Sequence, residues 1–329
     1  MIKLWKFFRR CVLDLNQASK HKAIFVVGPT AAGKSDLALE LAIRFGGSIV
    51  NIDSVQFYKG LEIGSAAPSV DDLKKVPHYL YSYLQAPVEQ TAGQYLRDFY
   101  QLVETQSLKW PIFIVGGTGF YIQALEKGMY DLPEVSPEIK QAILAEYAEG
   151  RSEALYQELK EFDPETDLHF NDHYRVGRAL EIKRAFNLKM SEFKKKQEDS
   201  NKSQFRFPYI KIGQTFHSDQ KELFITRVEQ RTQKMLDQGI VEEVDYFLKQ
   251  GFKDWSPLSS VGLNEVKQYL LGELPQQNLK PMIVQSTMQL VKKQKTWFKR
   301  DASILWSDVF SSDRSQIYRR VQDFLESDV

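Results

Sequence analysis

The stretch Ala23-Ile24-Phe25-Val26-Val27-Gly28-Pro29-Thr30-Ala31-Ala32-Gly33-Lys34-Ser35, continuing as Asp36-Leu37-Ala38-Leu39-Glu40-Leu41-Ala42, decides the fold. A short β-branched and aromatic run opens into a glycine-bounded loop, and the loop opens into a run of good helix formers. Gly28, Gly33, Lys34 and Ser35 satisfy G-x-x-x-x-G-K-[ST] in the strand–loop–helix context that this pattern requires. Two glycines let the backbone wrap a polyphosphate, and successive N–H groups at a helix N-terminus bond its oxygens. Lys34 supplies a point charge, and Ser35 offers a hydroxyl to Mg²⁺. The loop as a whole, from Gly28 through Pro29, Thr30, Ala31, Ala32 and Gly33 to Lys34 and Ser35, is predicted to bind phosphates. It does not say what becomes of them.

Outward from this loop, composition narrows the class. The chain has 329 residues, 43% hydrophobic and 26% charged, with a formal net charge of +1. A nucleic-acid surface must therefore come from local clustering rather than bulk charge. The single cysteine, Cys11, excludes an internal disulfide and a cysteine metal cluster, which fits a reducing cytoplasm. No apolar run approaches the ~18 residues of a membrane span. In residues 1–20, Leu4, Phe8, Cys11, Val12 and Leu15 recur at helical spacing beside Lys3, Lys6, Arg9 and Arg10. A packed or frayed helix and a basic membrane-surface helix both fit, whereas Arg9-Arg10 interrupts the apolar core of a secretory signal.

Two further strands end in chemistry. Ser48-Ile49-Val50-Asn51-Ile52-Asp53 runs into Ser54-Val55-Gln56-Phe57-Tyr58, and strand C-termini line the ligand crevice of a parallel α/β sheet. Asp53 there could hold Mg²⁺, act as a base, or merely cap the next helix. Residues 60–80 read as loops with turn punctuation. Tyr95, Phe99, Leu102 and Val103 return to helical spacing, and Trp110-Pro111-Ile112-Phe113-Ile114-Val115 is a third strand. It opens into Gly116-Gly117-Thr118-Gly119, which is no dinucleotide fingerprint because Ile122 occupies the last glycine position. The strand also lacks the terminal Asp of a typical nucleotide hydrolase.

From Asp131 to Ser203 the chain turns charged and helical. Arg175 and Arg178 stand at i and i+3 on one helix face, followed by Lys194-Lys195-Lys196. A solvated face and a phosphate-contacting face are both open. Tyr209-Ile210-Lys211-Ile212-Gly213 returns to the sheet. Beyond it Arg227, Arg231 and Met235 share a helix face that Gly239 ends. Lys292-Lys293-Gln294-Lys295-Thr296-Trp297-Phe298-Lys299-Arg300 sets five cations around two aromatics with no acid. Phosphate contact with base stacking competes there with an amphipathic helix whose Trp297 is core. The predicted fold is an α/β protein of P-loop type: a mostly parallel sheet flanked by helices, built from 21–130 and 204–329. Residues 1–20 form an extension and 131–203 an inserted helical domain.

Taken in order, these segments resemble the tRNA dimethylallyltransferases over about residues 23–300. The resemblance rests on the phosphate loop, Asp53-Ser54-Val55-Gln56-Phe57-Tyr58, Pro77-His78 and Val115-Gly116-Gly117-Thr118-Gly119-Phe120-Tyr121. Asn171-Asp172 through Arg178-Ala179-Leu180-Glu181, Arg227 with Arg231, and Lys292-Lys293-Gln294 to Thr296-Trp297-Phe298 complete it. It implies that the loop holds dimethylallyl diphosphate, with Mg²⁺ on Ser35, and that an anticodon-loop adenosine leaves its stack to reach C1 of the prenyl group. Asp53, Thr118 and Arg231 are then the catalytic residues: base, hydrogen-bonding group at the reacting centre, and neutraliser of the departing diphosphate. Expected tRNA contacts are Asp53, Ser54, Val55, Gln56, Thr118, Lys140, Tyr174, Arg175, Val176, Gly177, Arg178, Lys292, Lys293, Gln294, Lys295, Thr296, Trp297, Phe298 and Lys299. The insertion would grip the anticodon stem-loop, and a cytoplasmic monomer is expected.

The chain departs from the family's usual words at several places. Ala67 stands where a Lys is common, Leu263 where a Tyr is, Tyr174 where a Gln is, and Leu188-Lys189 where a Thr-Gly is. A kinase of a small hydroxyl-bearing metabolite would share the loop but has no need of the basic segment around Trp297. A prenyltransferase of free adenine nucleotides would lack the insertion. An RNA-binding relative without catalysis has no need to keep Asp53, Thr118 and Arg231.

Overall fold

The computed structural model describes residues 21–129, 135–199 and 205–327; the predicted N-terminal helix in 1–20 lies outside them. They form two compact units by contact, one of residues up to 126 together with 205 onward, the other of 127–204. The change of character in the sequence falls a few residues inside this, at 131 and 203.

The larger unit is built on six strands: β1 (Ala23–Val27), β2 (Ser48–Asn51), β3 (His78–Tyr79), β4 (Ile112–Val115), β5 (Tyr209–Thr215) and β6 (Ile304–Asp308). They lie in the order β3-β2-β4-β1-β5-β6, and every pairing is parallel. β1, β2 and β4 are buried along their whole length, which is why they read as unbroken apolar runs. The strand period of two divides their side chains between the faces of the sheet. Ala23, Phe25 and Val27 join Ile112 and Ile114 in one core, while Ile24 and Val26 join Phe113 and Val115 in the other.

The first core is covered by the helices Ala92–Thr105, Gly119–Lys127, Ile240–Lys249 and Leu263–Leu270. The second is covered by Lys34–Phe45, through Leu37, Ala38, Leu41 and Ala42, and by Ser315–Glu326, through Ile317, Val321 and Phe324. That last helix ends on a buried cation. Lys22 Nζ donates to the carbonyls of Phe324 at 2.6 Å and Leu325 at 3.2 Å, satisfying orphan acceptors at the negative end of the helix.

The structure corrects one expectation and adds one strand. Residues 60–80 are not all loop: they hold the short helices Glu62–Ser65 and Val70–Lys75 and the edge strand β3. Strand β6 escapes the sequence pattern altogether, because an edge strand buries little and only its Ile304 is inside.

The smaller unit packs Pro137–Ala148, Ser152–Phe162 and His173–Phe186 around Ile143, Leu155, Leu159, Val176, Ala179 and Leu180. Asp172 caps the third helix by accepting the Arg175 N–H at 3.2 Å. A fourth helix, Met190–Asp199, is pinned by Asp163, whose carboxylate accepts both the N–H (3.0 Å) and the hydroxyl (2.6 Å) of Ser191.

Candidate active site

The chain order of the strands reverses beside β1, so the loops leaving the C-terminal ends of β1, β2 and β4 converge. Gly28 leaves β1 with φ +136°, and a Cβ there would lie 2.3 Å from the Gln214 carbonyl oxygen at the end of β5. Glycine is thus required both by the turn and by the close approach. Gly33, in the left-handed region, starts the Lys34–Phe45 helix with no side-chain cap, so the loop ends on the first backbone N–H groups of that helix. Lys34 Nζ rests on the Pro29 carbonyl at 2.8 Å.

Two arginines reach this loop from the Lys221–Asp237 helix, one turn apart. Arg227 Nε donates to the Ala31 carbonyl at 2.8 Å, and Arg231 donates to the Thr30 hydroxyl at 2.9 Å. Burial pushes Lys34 down to about 8, with Asp53 opposing and Arg231 adding to the fall. Burial likewise lowers Arg231, against Asp53 and with Arg227. Two desolvated cations, Lys34 and Arg231, with the more exposed Arg227 beside them, therefore crowd a loop of N–H donors, an arrangement that an anion relieves.

Asp53 follows β2. Its Oδ1 accepts the Val55 N–H at 3.1 Å in a local turn rather than a helix cap, since no helix among the described residues begins there, and its backbone N–H is held by Asn51 Oδ1 at 2.8 Å. Its charge still acts on both Lys34 and Arg231. Thr118, after β4, accepts the Ser54 N–H at 3.2 Å and donates to the Ser54 hydroxyl at 3.3 Å, fastening the β2 and β4 loops together.

These loops line a cavity of about 480 Å³. Thr30, Asp53, Thr118, Arg231 and Lys293 supply its polar groups, and Val228, Met235, Val261, Ile283 and Leu290 an apolar wall. Phe120 and Trp297, both partly exposed aromatics, stand at its edge. Trp297 packs so closely on Gly119 that a Cβ there would lie 2.1 Å from its Nε1. Mg²⁺ needs few protein oxygens when phosphates and water supply the rest. No cluster of three His, Cys, Asp or Glu side chains occurs among the described residues, while the exposed Ser35 hydroxyl opens the helix that the phosphate loop feeds.

Several residues expected at an RNA surface are occupied otherwise. Gln294 bridges the loops: its Oε1 accepts the Thr30 N–H at 2.8 Å and its Nε2 donates to the Gly117 carbonyl at 2.9 Å. Gln56 Nε2 donates to the Ser65 and Ala66 carbonyls, 3.0 Å each. Lys295 lies 3.8 Å over the Phe216 ring and donates to the Phe216 carbonyl at 2.9 Å, and Phe298 is core. Val176 and Gly177 are inside the smaller unit. Val176 and Phe298 are thus corrected from RNA contacts to core side chains, since the helix period turns them inward; Gly177 has no side chain to offer, and Lys295 is part-buried on Phe216. Lys292, Lys293, Thr296 and Lys299 remain on the exposed face of the Gln276–Phe298 helix and its end.

In the smaller unit, Lys140 and Arg175 are exposed, Tyr174 is 85% exposed, and Arg178 pairs with Glu181 at 2.6 Å. The Lys194-Lys195 run pairs with Asp167 and Glu165, which favours the solvated-face alternative for it. Sequence reasoning missed the serine-rich segment Ser259–Gly262, which also borders the cavity. Gly262, with φ +92° and its N–H on Glu265 at 2.7 Å, was the only local signal.

A family model described as IPP transferase matches residues 56–301. The tRNA dimethylallyltransferase of Bdellovibrio bacteriovorus is 43% identical, covering 94% of this chain and 99% of that one. That of Geobacter metallireducens is 36% identical over 89% and 94%. Among solved structures, the tRNA delta(2)-isopentenylpyrophosphate transferase of Staphylococcus epidermidis is 26% identical, with TM-score 0.61 over 92% of this chain and 98% of that one. A eukaryotic dimethylallyltransferase acting on tRNA, 22% identical, shares the fold with TM-score 0.74 over 92% and 79%.

Proposed function

This chain belongs to the IPP transferase family and, like its curated relatives, is a tRNA dimethylallyltransferase; from that premise we propose how its cavity carries the transfer. The donor is dimethylallyl diphosphate and the acceptor is the exocyclic N6 of the adenosine 3′ to the anticodon. A small-metabolite kinase is disfavoured, because the family match runs through the insertion and the basic segment alike.

The diphosphate lies on the Gly28–Ser35 loop, bonded by its N–H groups and neutralised by Lys34 and Arg231. The five-carbon tail takes the wall of Val228, Met235, Ile283 and Leu290. The N6 lone pair attacks C1 while the C1–O bond breaks and its electrons leave on the diphosphate. The N6 proton passes to Asp53. Thr118 holds the β2 and β4 loops in register beside the reacting atoms. Mg²⁺, held by Ser35 and the phosphates, would add positive charge to the leaving group. The enzyme works as a cytoplasmic monomer, and no helix of the described residues is long and apolar enough to cross a membrane.

The observation that carries this reading is that Asp53, Thr30 of the phosphate loop, the Arg231 bonded to it and an apolar wall border one cavity. The test is incubation with Mg²⁺, dimethylallyl diphosphate and unmodified tRNA, followed by mass spectrometry of digested nucleosides. A prenyl increment on tRNA adenosine and none on free AMP is expected. An increment on AMP alone would defeat the tRNA assignment.

A further inference from the structure

Glu243 is a half-buried carboxylate that takes no part in this chemistry. It stands on the Ile240–Lys249 helix, whose other inward residues, Ile240, Val244 and Phe247, are apolar. Its Oε1 accepts the Ile63 N–H at 2.8 Å and its Oε2 the Gly64 N–H at 2.7 Å. Burial pushes it up to about 7, with the two N–H donors opposing and Glu62 adding to the rise. The two N–H donors thus hold a carboxylate where burial disfavours its charge.

That backbone is a strap, residues 60–66, and Gly64 and Ser65 form part of the cavity wall. Its far end is gripped by Gln56, whose amide donates to the Ser65 and Ala66 carbonyls. Gln56 lies three residues after Asp53 in the same loop, and Asp53 Oδ1 is itself fixed to Val55 within it. The strap has no slack: a Cβ on Gly64 would meet Leu263 Cδ2 at 2.3 Å and Glu243 Oε2 at 3.0 Å. Hydrogen bonds from Glu243 and from Gln56 therefore hold successive residues of the strap, and Gln56 carries that hold into the loop of Asp53 through three residues of chain. None of these bonds touches the phosphate loop.

We propose that Glu243 is a positioning residue for the transfer, acting through the 60–66 strap and Gln56 to set where the Asp53 carboxylate stands over the cavity. This rests on the prenyl-transfer reading of the cavity. The test is single-turnover transfer, with tRNA and dimethylallyl diphosphate saturating, for the wild type, Glu243→Ala and Glu243→Gln. Misplacing a base without removing it should lower the rate constant of Glu243→Ala at least about tenfold. Glu243→Gln keeps one acceptor and should fall between, with KM for the diphosphate within about twofold of wild type in both. A purely structural Glu243 would reduce the fraction of active molecules, seen as amplitude, and leave the rate constant unchanged. Rate constants within about twofold of wild type in both variants would overturn the proposal. Should the Ala variant not fold, Glu243→Gln decides alone. Wild-type enzyme yielding no prenylated adenosine would instead defeat the underlying reading, and the proposal with it.

Discussion

At the scale of single residues, the site depends on groups held away from their ordinary charge state or freedom. Asp53 keeps one oxygen on Val55 while its charge acts on Lys34 and Arg231, so it is oriented and electrostatically coupled at once. Removing a positioned base costs about 10²–10⁴-fold in rate, so Asp53→Asn should lower kcat by at least about 100-fold. tRNA binding, measured by filter retention, should change little. Lys34 makes a pH prediction. Burial has lowered it to about 8, so its cation is present below that pH and lost above it. Diphosphate favours the cation, so affinity for inorganic pyrophosphate should hold up to about pH 8 and weaken as pH rises further. Binding near pH 8 should take up a proton. Titration calorimetry across pH 7–10 checks this, and Lys34→Arg should remove the inflection, because a guanidinium stays charged throughout.

At the scale of elements, what was legible is what local pattern dictates. β1, β2, β4 and β5 announced themselves as apolar runs, and the phosphate loop through Gly28 and Gly33, whose backbone angles demand glycine. The pair Arg227 and Arg231 was visible as one helix face, and both do reach the loop. What was not legible depends on partners far away in the chain. Nothing near Glu243 indicates that it holds Ile63, 180 residues earlier. Nothing near Gln294 indicates that it joins two loops, one of them 264 residues away. Periodicity also marked Val176, Gly177, Lys295 and Phe298 as members of basic or motif stretches without telling which way each faces. Gln294 turns this into an expected outcome. Its two part-buried hydrogen bonds are worth about 1–3 kcal/mol together. Gln294→Ala should therefore raise KM for dimethylallyl diphosphate about 5- to 150-fold, by loosening the phosphate loop, while Lys292 and Lys293 keep tRNA affinity near wild type. Steady-state kinetics with each substrate varied in turn separates the two effects.

At the scale of the whole molecule, charge sets the terms on which an RNA can bind. A net charge of +1 gives no general attraction for a polyanion, so affinity must come from cations placed locally and left uncommitted. The structure withdraws many from that role: Lys22 caps a helix, Lys211 lies buried with Glu126 and Asp301, and Lys183 and Arg184 pair with Glu158. Lys292, Lys293 and Lys299 stay exposed on the larger unit and Lys140 on the smaller, where the exposed Arg175 also pairs with Asp172 at 3.4 Å. With so few phosphate contacts, tRNA affinity should fall with salt along a shallow slope, since each contact on a single-stranded segment contributes about 0.7 to it. Lys292→Ala with Lys293→Ala should weaken binding and reduce that slope by about 1.4, two contacts' worth. Pyrophosphate affinity should be untouched in Lys292→Ala alone, because Lys292 does not line the cavity, whereas Lys293 is one of the cavity's polar groups. Fluorescence titrations of labelled tRNA between 50 and 300 mM KCl, about the range where the slope is measurable, decide it. An unchanged slope would mean that these two lysines are spectators and that other exposed cations, Lys299 or those of the smaller unit, supply the phosphate contacts.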